Sequence, residues 1–179
     1  IVSRKLDACE EVAEEVRSLG RKALPLSAHC GKWEEIDPMI EKAYEAFGKI
    51  DILINNAGMS PRVPSHEVEE SLFDSVLNLN FKGPFRIGAK IGKRMADGDG
   101  GSIINISSTG ALMPLPQVVP YSGAKAALNA HTEPKGYAFG SPENETHEAE
   151  TDRLANAQAD AFDALMMHPA PDLAALAHK

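Results

Sequence analysis

The chain has 179 residues, 43% of them apolar, and a formal charge of −8. That is enough material for one domain with a core, and the acidic balance without a basic patch argues against nucleic acid as a partner. No apolar run reaches the ~20 residues a membrane span needs, and two cysteines, Cys9 and Cys30, are too few for a disulfide framework, so the expected setting is reducing and cytoplasmic.

Residues 1–3 read as the end of a strand. Asp7 to Glu10 has the spacing of a capping box. Ala8, Val12, Val16 and Leu19 then form one apolar stripe, with Gly20 as the stop. Residues 23–28 read as a short buried strand. A second helix is expected where Ile36, Ile40, Ala43 and Phe47 share a face, with Pro38 tolerated in its first turn and Gly48 at its end. Residues 50–54 form the next strand. Residues 72–80 and 85–95 read as helices, with a break or kink at Gly83-Pro84. Another buried strand covers 102–106, a proline-bearing loop covers 109–120, and a helix runs over 121–132.

Strands alternating with helices in this way imply an α/β fold with a parallel sheet covered on both faces. Ligands in such sheets bind at the carboxyl ends of strands. Asn55, Ser108 and the residues after Ser3 fall at such ends.

Composition changes near Thr132. Residues 1–132 hold 17 acidic and 15 basic side chains, whereas residues 133–179 hold 9 and 3. The expected organisation is a domain over 1–132, a linker over 133–145 and an acidic helical tail over 146–179. That tail would contain one helix over 146–167 and a short one over 172–178.

The chemistry is concentrated in four residues. Tyr121 and Lys125 stand at i and i+4, which places both on one face of a helix. An ammonium there can lower the pKa of a phenol from its usual value of about 10 and make it a proton donor or acceptor for carbonyl chemistry. Ser108 lies thirteen residues upstream of Tyr121, and Asn80 further back.

Four segments carry a resemblance: Asn55-Asn56-Ala57-Gly58, Asn80 within Leu79–Gly83, residues 101–108 ending in Ser107-Ser108, and Tyr121-Ser-Gly-Ala-Lys125. In this order and spacing they resemble the short-chain dehydrogenase/reductase family, over residues 1 to about 132. The resemblance implies an incomplete Rossmann-like, doubly wound parallel sheet. It implies an NAD(P)-dependent oxidoreductase that interconverts a ketone and a secondary alcohol. Tyr121 would be the general acid/base. Lys125 would support it and hold the nicotinamide ribose. Ser108 would steady the substrate oxygen, with Ser107 as its nearby rival. Asn80 would anchor a water in a proton relay. Asn55, Asn56, Ala57 and Gly58 would line the cofactor side, together with Ser3, Arg4, Tyr121 and Lys125. Oligomerisation through the helices over 85–95 and 121–132 is likewise implied.

Cofactor type is read after the first strand. Ser3-Arg4-Lys5 stands there without a carboxylate, which favours NADP over NAD, because a guanidinium can grip a 2′-phosphate. His29-Cys30 replaces the acidic residue that many relatives carry near the adenine.

The chain departs from the family in three places. The family's glycine-rich phosphate loop and the first strand preceding it are missing from the sequence, as are the last strands. Gly98-Asp-Gly100-Gly101 precedes a strand rather than a helix and does not replace the loop. The expectation is therefore a truncated or chimeric chain, and the alternative function is a catalytically inactive remnant serving as an interaction module.

Plainer readings stand beside these. Asn55 and Asn56 can serve mainly to tie strands together. Arg4 and Lys5 can be ordinary solvated residues. Trp33, Phe47 and Phe85 are read as packing, Gly83, Gly88 and Gly92 as sites of close helix contact, and the two cysteines as inert. The six histidines show no metal-ligand spacing, so no metal site is assigned.

Overall fold

The computed structural model of the protein describes residues 1–130. The expected linker and acidic tail lie outside the described residues. The elements in chain order are β1 (Val2–Ser3), α1 (Leu6–Ser18), β2 (Leu26–Ser27), α2 (Trp33–Phe47), β3 (Ile52–Asn55), α3 (Glu70–Leu77), α4 (Gly83–Asp97), β4 (Ser102–Asn105) and α5 (Val119–Ala130). Short 3-10 turns occur at Ser65–Glu67 and Thr109–Ala111, and a π turn at Asn78–Lys82 joins α3 to α4.

The α/β architecture with parallel strands is as the sequence implies. β1 pairs with β2, Val2 opposite Leu26 and Ser3 opposite Ser27. β3 pairs with β4, from Ile52 opposite Ser102 to Asn55 opposite Asn105. Parallel neighbours need a crossover, and helices supply each one here. The described strands form two separate two-stranded sheets, with no ladder between β1 and β3. The resemblance puts a strand at that place which the sequence does not contain. β2 is also shorter than the expected 23–28 and only partly buried, and β4, expected to be buried, is exposed from Ser102 to Ile104.

The main core lies between α2 and α4 and the strands beside them. Ala28, Ile36, Met39, Ile40, Ile87, Ile91 and Met95 are buried there together, with Leu53 and Ile50 packed against them. Burying a side chain such as Ile36 contributes roughly 1.5–3 kcal/mol. Gly83, at the start of α4, is forced by this packing. A Cβ on it would lie 2.9 Å from the Cys30 carbonyl carbon and 3.2 Å from the Asn78 oxygen. Gly92 is tight against Ile103, whereas a Cβ on Gly88 would meet open space. Close contact thus explains two of the three helical glycines.

Several local expectations are corrected. Helix α1 begins at Leu6, so Asp7 sits inside its first turn and the capping box does not form; Lys5 is the N-cap and supplies no side-chain bond. The buried face of α1 is Cys9 and Ala13, while Val12 and Leu19 are exposed. A sheet of two short strands is too narrow to cover the whole stripe. Helix α2 starts at Trp33, which puts Pro38 in the second turn rather than the first. The Glu35 carboxylate, in the first turn of α2, reaches back to accept from the His29 backbone N–H at 2.6 Å. That bond, with Lys32 beside it, holds the Glu35 carboxyl below its ordinary range.

The expected break at Gly83-Pro84 is a change of helical register instead. The chain stays helical from Glu70 to Asp97, passing through the π turn. Pro84 has no N–H, so the wider turn before it costs less than it would elsewhere. Helix α5 starts at Val119, two residues before Tyr121, with Pro120 in its first turn. Trp33, Phe47 and Phe85, read as packing, are 39–46% exposed and so pack only in part. The Arg86 guanidinium lies 4.2 Å from the Trp33 ring centroid, so Trp33 serves as a platform for a cation.

Candidate functional site

Parallel pairing of β3 with β4 brings their carboxyl ends to one edge, and the site is assembled from the segments that leave those two strands. Asn55 ends β3 and is buried; its Nδ2 donates to Asn105 Oδ1 at 2.8 Å, opposite it on β4. Asn55 therefore ties the two strand ends together, which is its plainer reading. Asn56, Ala57 and Gly58 continue from it as exposed backbone. Ile106 comes directly after β4, and its N–H returns to the Asn55 carbonyl at 3.0 Å.

Asn80 is wholly buried in the π turn. Its Nδ2 donates to the carbonyls of Met59 and Val76, each at 2.9 Å, and its Oδ1 accepts from the Met59 N–H at 3.3 Å. The amide is thus spent on clamping the loop after β3 to α3. A Cβ on Gly58 would come within 2.8 Å of Asn80 Oδ1, so only glycine fits that loop without displacing the clamp.

Tyr121 and Lys125 lie on α5, which packs against the π turn, α3 and the Thr109–Ala111 turn. Ala124 and Leu128 anchor it as buried residues. Lys125 is buried as well, and its Nζ donates to the Ile106 carbonyl at 2.6 Å. Burial pushes the Lys125 ammonium below its ordinary pKa. The same Nζ lies 5.9 Å from the Tyr121 ring centroid, on the one face the i, i+4 spacing requires. Tyr121 itself is half-buried.

Ser108 caps the turn after β4: its Oγ accepts from the Gly110 N–H at 3.1 Å. That leaves its O–H proton available to another acceptor. Ser107 Oγ is buried and has no partner among the described residues. Ser122, which the motif reading passed over, is also buried without a partner for its Oγ. The Cα of Gly110 lies between Ser122 and Ser108: a Cβ there would meet their hydroxyls at 3.2 and 3.4 Å. The sequence signal for this contact is small, a serine next to the tyrosine and a glycine two residues after Ser108.

Hydrogen bonds thus join Asn55 to Lys125 through the Ile106 main chain, with Tyr121 beside Lys125, whereas Asn80 bonds to Met59 and Val76 and Ser108 to Gly110. Ser3 and Arg4 belong to the other strand pair. Ser3 Oγ accepts from the Lys5 N–H at 3.4 Å, and Ser27 Oγ donates to the Arg4 carbonyl at 3.2 Å. The Arg4 side chain is exposed at the end of β1. His29 Nδ1 accepts from the Gly31 N–H at 3.0 Å. Burial raises the Cys30 thiol, and the Cys9 thiol is buried and donates to the Leu26 carbonyl at 3.6 Å, which fits two unreactive cysteines. No cluster of His, Cys, Asp or Glu suited to a metal occurs among the described residues.

The family model for short chain dehydrogenase matches residues 1–136. The chain belongs to the short-chain dehydrogenase family. Among the family's curated members it is 38% identical to 2-dehydro-3-deoxy-D-gluconate 5-dehydrogenase of Escherichia coli over 119 residues, 66% of this chain and 47% of that protein. A solved putative short-chain alcohol dehydrogenase of Sinorhizobium meliloti superposes with a TM-score of 0.70 at 33% identity, covering 73% of this chain and 52% of that one. A gluconate 5-dehydrogenase of Burkholderia cenocepacia, in complex with NADP and tartrate, gives a TM-score of 0.69 at 26% identity, covering 74% and 52%. The chain spans about half the length of the curated relatives it matches. No helix among the described residues is long and apolar enough to cross a membrane.

Proposed function

We propose that the chain carries the proton-handling half of an NADP-dependent oxidoreductase that interconverts a ketone and a secondary alcohol. Tyr121 gives its phenolic proton to the substrate oxygen in reduction and takes it back in oxidation. Lys125 holds a positive charge beside the ring, which favours the oxyanion left as the proton departs. The Ile106 carbonyl fixes that charge in place. Ser108, whose oxygen already accepts from Gly110, donates its own proton to the substrate oxygen. Ser107 has its oxygen buried, and Ser108 fits the spacing to Tyr121 better, which favours Ser108 for this role. Asn80 acts by position: it clamps the Met59 loop and shapes the π turn beside α5. The observation that carries the reading is the pair of distances from Lys125 Nζ, 2.6 Å to the Ile106 carbonyl and 5.9 Å to the Tyr121 ring centroid.

A nicotinamide, when bound, supplies or accepts the hydride. The donor set fits its two ends. Lys125 has donors beyond the one given to Ile106, the backbone of Asn56 to Gly58 is exposed for close approach, and the exposed Arg4 guanidinium suits a 2′-phosphate. The pyrophosphate has no glycine-rich strand-to-helix turn to rest on within the 179 residues. The second reading is an inactive remnant acting as an interaction module.

Titrating the purified chain with NADPH, followed by nicotinamide fluorescence, separates the two. Saturable binding in the micromolar range supports the oxidoreductase, with NADH weaker and Arg4→Ala narrowing the preference by about tenfold (~1.4 kcal/mol for a charge-assisted contact). A flat titration contradicts the oxidoreductase reading and leaves the remnant.

A further inference from the structure

Two contacts join the inner face of α5 to the segment that leaves β4. Lys125 Nζ donates to the Ile106 carbonyl at 2.6 Å. Ser122, three residues before Lys125 and so on the same helical face, has its Oγ against Gly110. A Cβ on Gly110 would stand 3.2 Å from that oxygen, tighter than ordinary contact. Ser108 lies midway between Ile106 and Gly110. The helix that carries Tyr121 therefore holds the chain on both sides of Ser108. Within the turn, Ser108 is fixed to its neighbours: its Oγ accepts from the Gly110 N–H at 3.1 Å, and its carbonyl accepts from the Ala111 N–H at 3.0 Å. A shift of Gly110 thus carries the Ser108 hydroxyl with it.

Ser122 is unfavourable for stability where it stands. It is 3% exposed, and its Oγ has no hydrogen-bond partner among the described residues. A buried hydroxyl left unpaired costs free energy, whereas alanine, of nearly the same shape, buries no polar atom. Alanine is also preferred over serine within a helix. Side chains that break local rules in this way concentrate at functional sites.

We propose that Ser122 is a positioning residue: its oxygen stops Gly110 from closing on α5 and so sets where the Ser108 hydroxyl stands relative to Tyr121. Ser122 itself touches no substrate. Alanine at 122 would let the turn settle toward the helix, into part of the space the oxygen fills, and Ser108 would follow. A methyl at 110 would push the turn the other way. A misplacement of about 1 Å at a reacting group can slow the chemistry by ~10²-fold. The kinetic consequence rests on the oxidoreductase reading; the structural one rests only on the packing of α5 against the Thr109–Ala111 turn.

The test uses the full chain, NADPH and a panel of small ketones, with Ser122→Ala, Gly110→Ala and the double variant. Ser122→Ala should keep or raise the urea midpoint, hold KM within about twofold and lower kcat by roughly fivefold or more, the pattern of an interaction made only in the transition state. Gly110→Ala should lower kcat as well, because its methyl meets the Ser122 and Ser108 hydroxyls. In the double variant that methyl takes the room the oxygen leaves, so kcat should exceed that of Gly110→Ala, a non-additive result expected only of residues in contact. A second readout needs no turnover. Amide hydrogen exchange at Gly110 should speed by roughly threefold or more in Ser122→Ala as its bond to Ser108 loosens, while exchange at Ile106, bonded to Asn55, stays the same. Wild-type kcat in Ser122→Ala, a double variant slower than Gly110→Ala, or unchanged exchange at Gly110 overturns the proposal. A wild-type chain without turnover sinks the oxidoreductase reading instead, and the Gly110 exchange rate then decides the placement alone.

Discussion

Replacing Gly83 with alanine sets two opposing effects against each other. Alanine is favoured over glycine in a helix by about 0.8–1 kcal/mol. The new methyl, however, would press on the Cys30 backbone, 2.9 Å from its carbonyl carbon, and lie 3.2 Å from the Asn78 oxygen. Both neighbours are main chain, so no side chain can rotate aside. Either α4 moves away from the segment after β2, or the π turn deforms. Overpacking of this kind costs about 1–3 kcal/mol, and more where backbone must shift. The net expectation is a loss of about 2 kcal/mol, which is roughly a 30-fold fall in the folding equilibrium. With a urea slope of about 1–3 kcal/mol per molar, the unfolding midpoint should drop by about 1 M. Gly88→Ala is the internal control: it gains the same helix preference, meets open space, and should leave the midpoint unchanged or raise it. An unchanged or raised midpoint for Gly83→Ala would refute the close approach of α4 to Cys30.

Asn80→Leu should destabilise the chain by about 2–4 kcal/mol, since it strands the polar groups of Met59 and the Val76 carbonyl that the amide now satisfies; a loss under 0.5 kcal/mol in urea melts would contradict the clamp. Lys125 carries a pKa depressed by burial, so the unfolded chain binds its proton more tightly than the folded one. Stability from this group is therefore fully present above the unfolded value of about 10.5 and is lost as pH falls through the depressed folded value. Measured against Lys125→Met, the wild-type chain should gain relative stability as pH rises across that window, and a difference independent of pH would contradict the burial of the charge. Arg86→Gln should expose the Trp33 ring, quench or shift its emission and cost roughly 0.5–2 kcal/mol, because the guanidinium both covers the ring and meets Asp37 at 2.6 Å; an unaltered spectrum would count against the stack.

The sequence carried the parts of the fold whose signal is local. The i, i+4 spacing of Tyr121 and Lys125 put both on one face because α5 is a regular helix, and the apolar runs before Asn55 and Ser107 marked strands by their length and β-branched residues, although Ile52, Ile54, Ile103 and Ile104 are exposed. The order of strand and helix gave the parallel pairing. Features that depend on partners far along the chain were not legible. The stripe of Val12 and Leu19 has correct helical spacing, but only tertiary structure shows that the small sheet reaches no further than Cys9 and Ala13. The capping box at Asp7 failed because α1 starts two residues earlier than the pattern suggests. Pro38 sits a turn deeper in α2 because the helix starts at Trp33, which no capping side chain marks in the sequence. The π turn holding Asn80 has no short-range signature beyond Gly83-Pro84, which reads as a break. In the site, the motif residues were found by their types and spacing, but their working partners were not: the Ile106 carbonyl that holds Lys125, the Met59 backbone that Asn80 clamps, and the Gly110 N–H that orients Ser108 are all main-chain groups, which any residue provides.

The direct measurement is turnover of a carbonyl panel with NADPH by the wild-type chain and by Tyr121→Phe. The variant removes one oxygen from a half-buried side chain and should leave the fold unchanged. The account predicts measurable ketone reduction by the wild type and a loss of at least 10²-fold in the variant, the usual scale of a general acid. Equal turnover in the two proteins would contradict it.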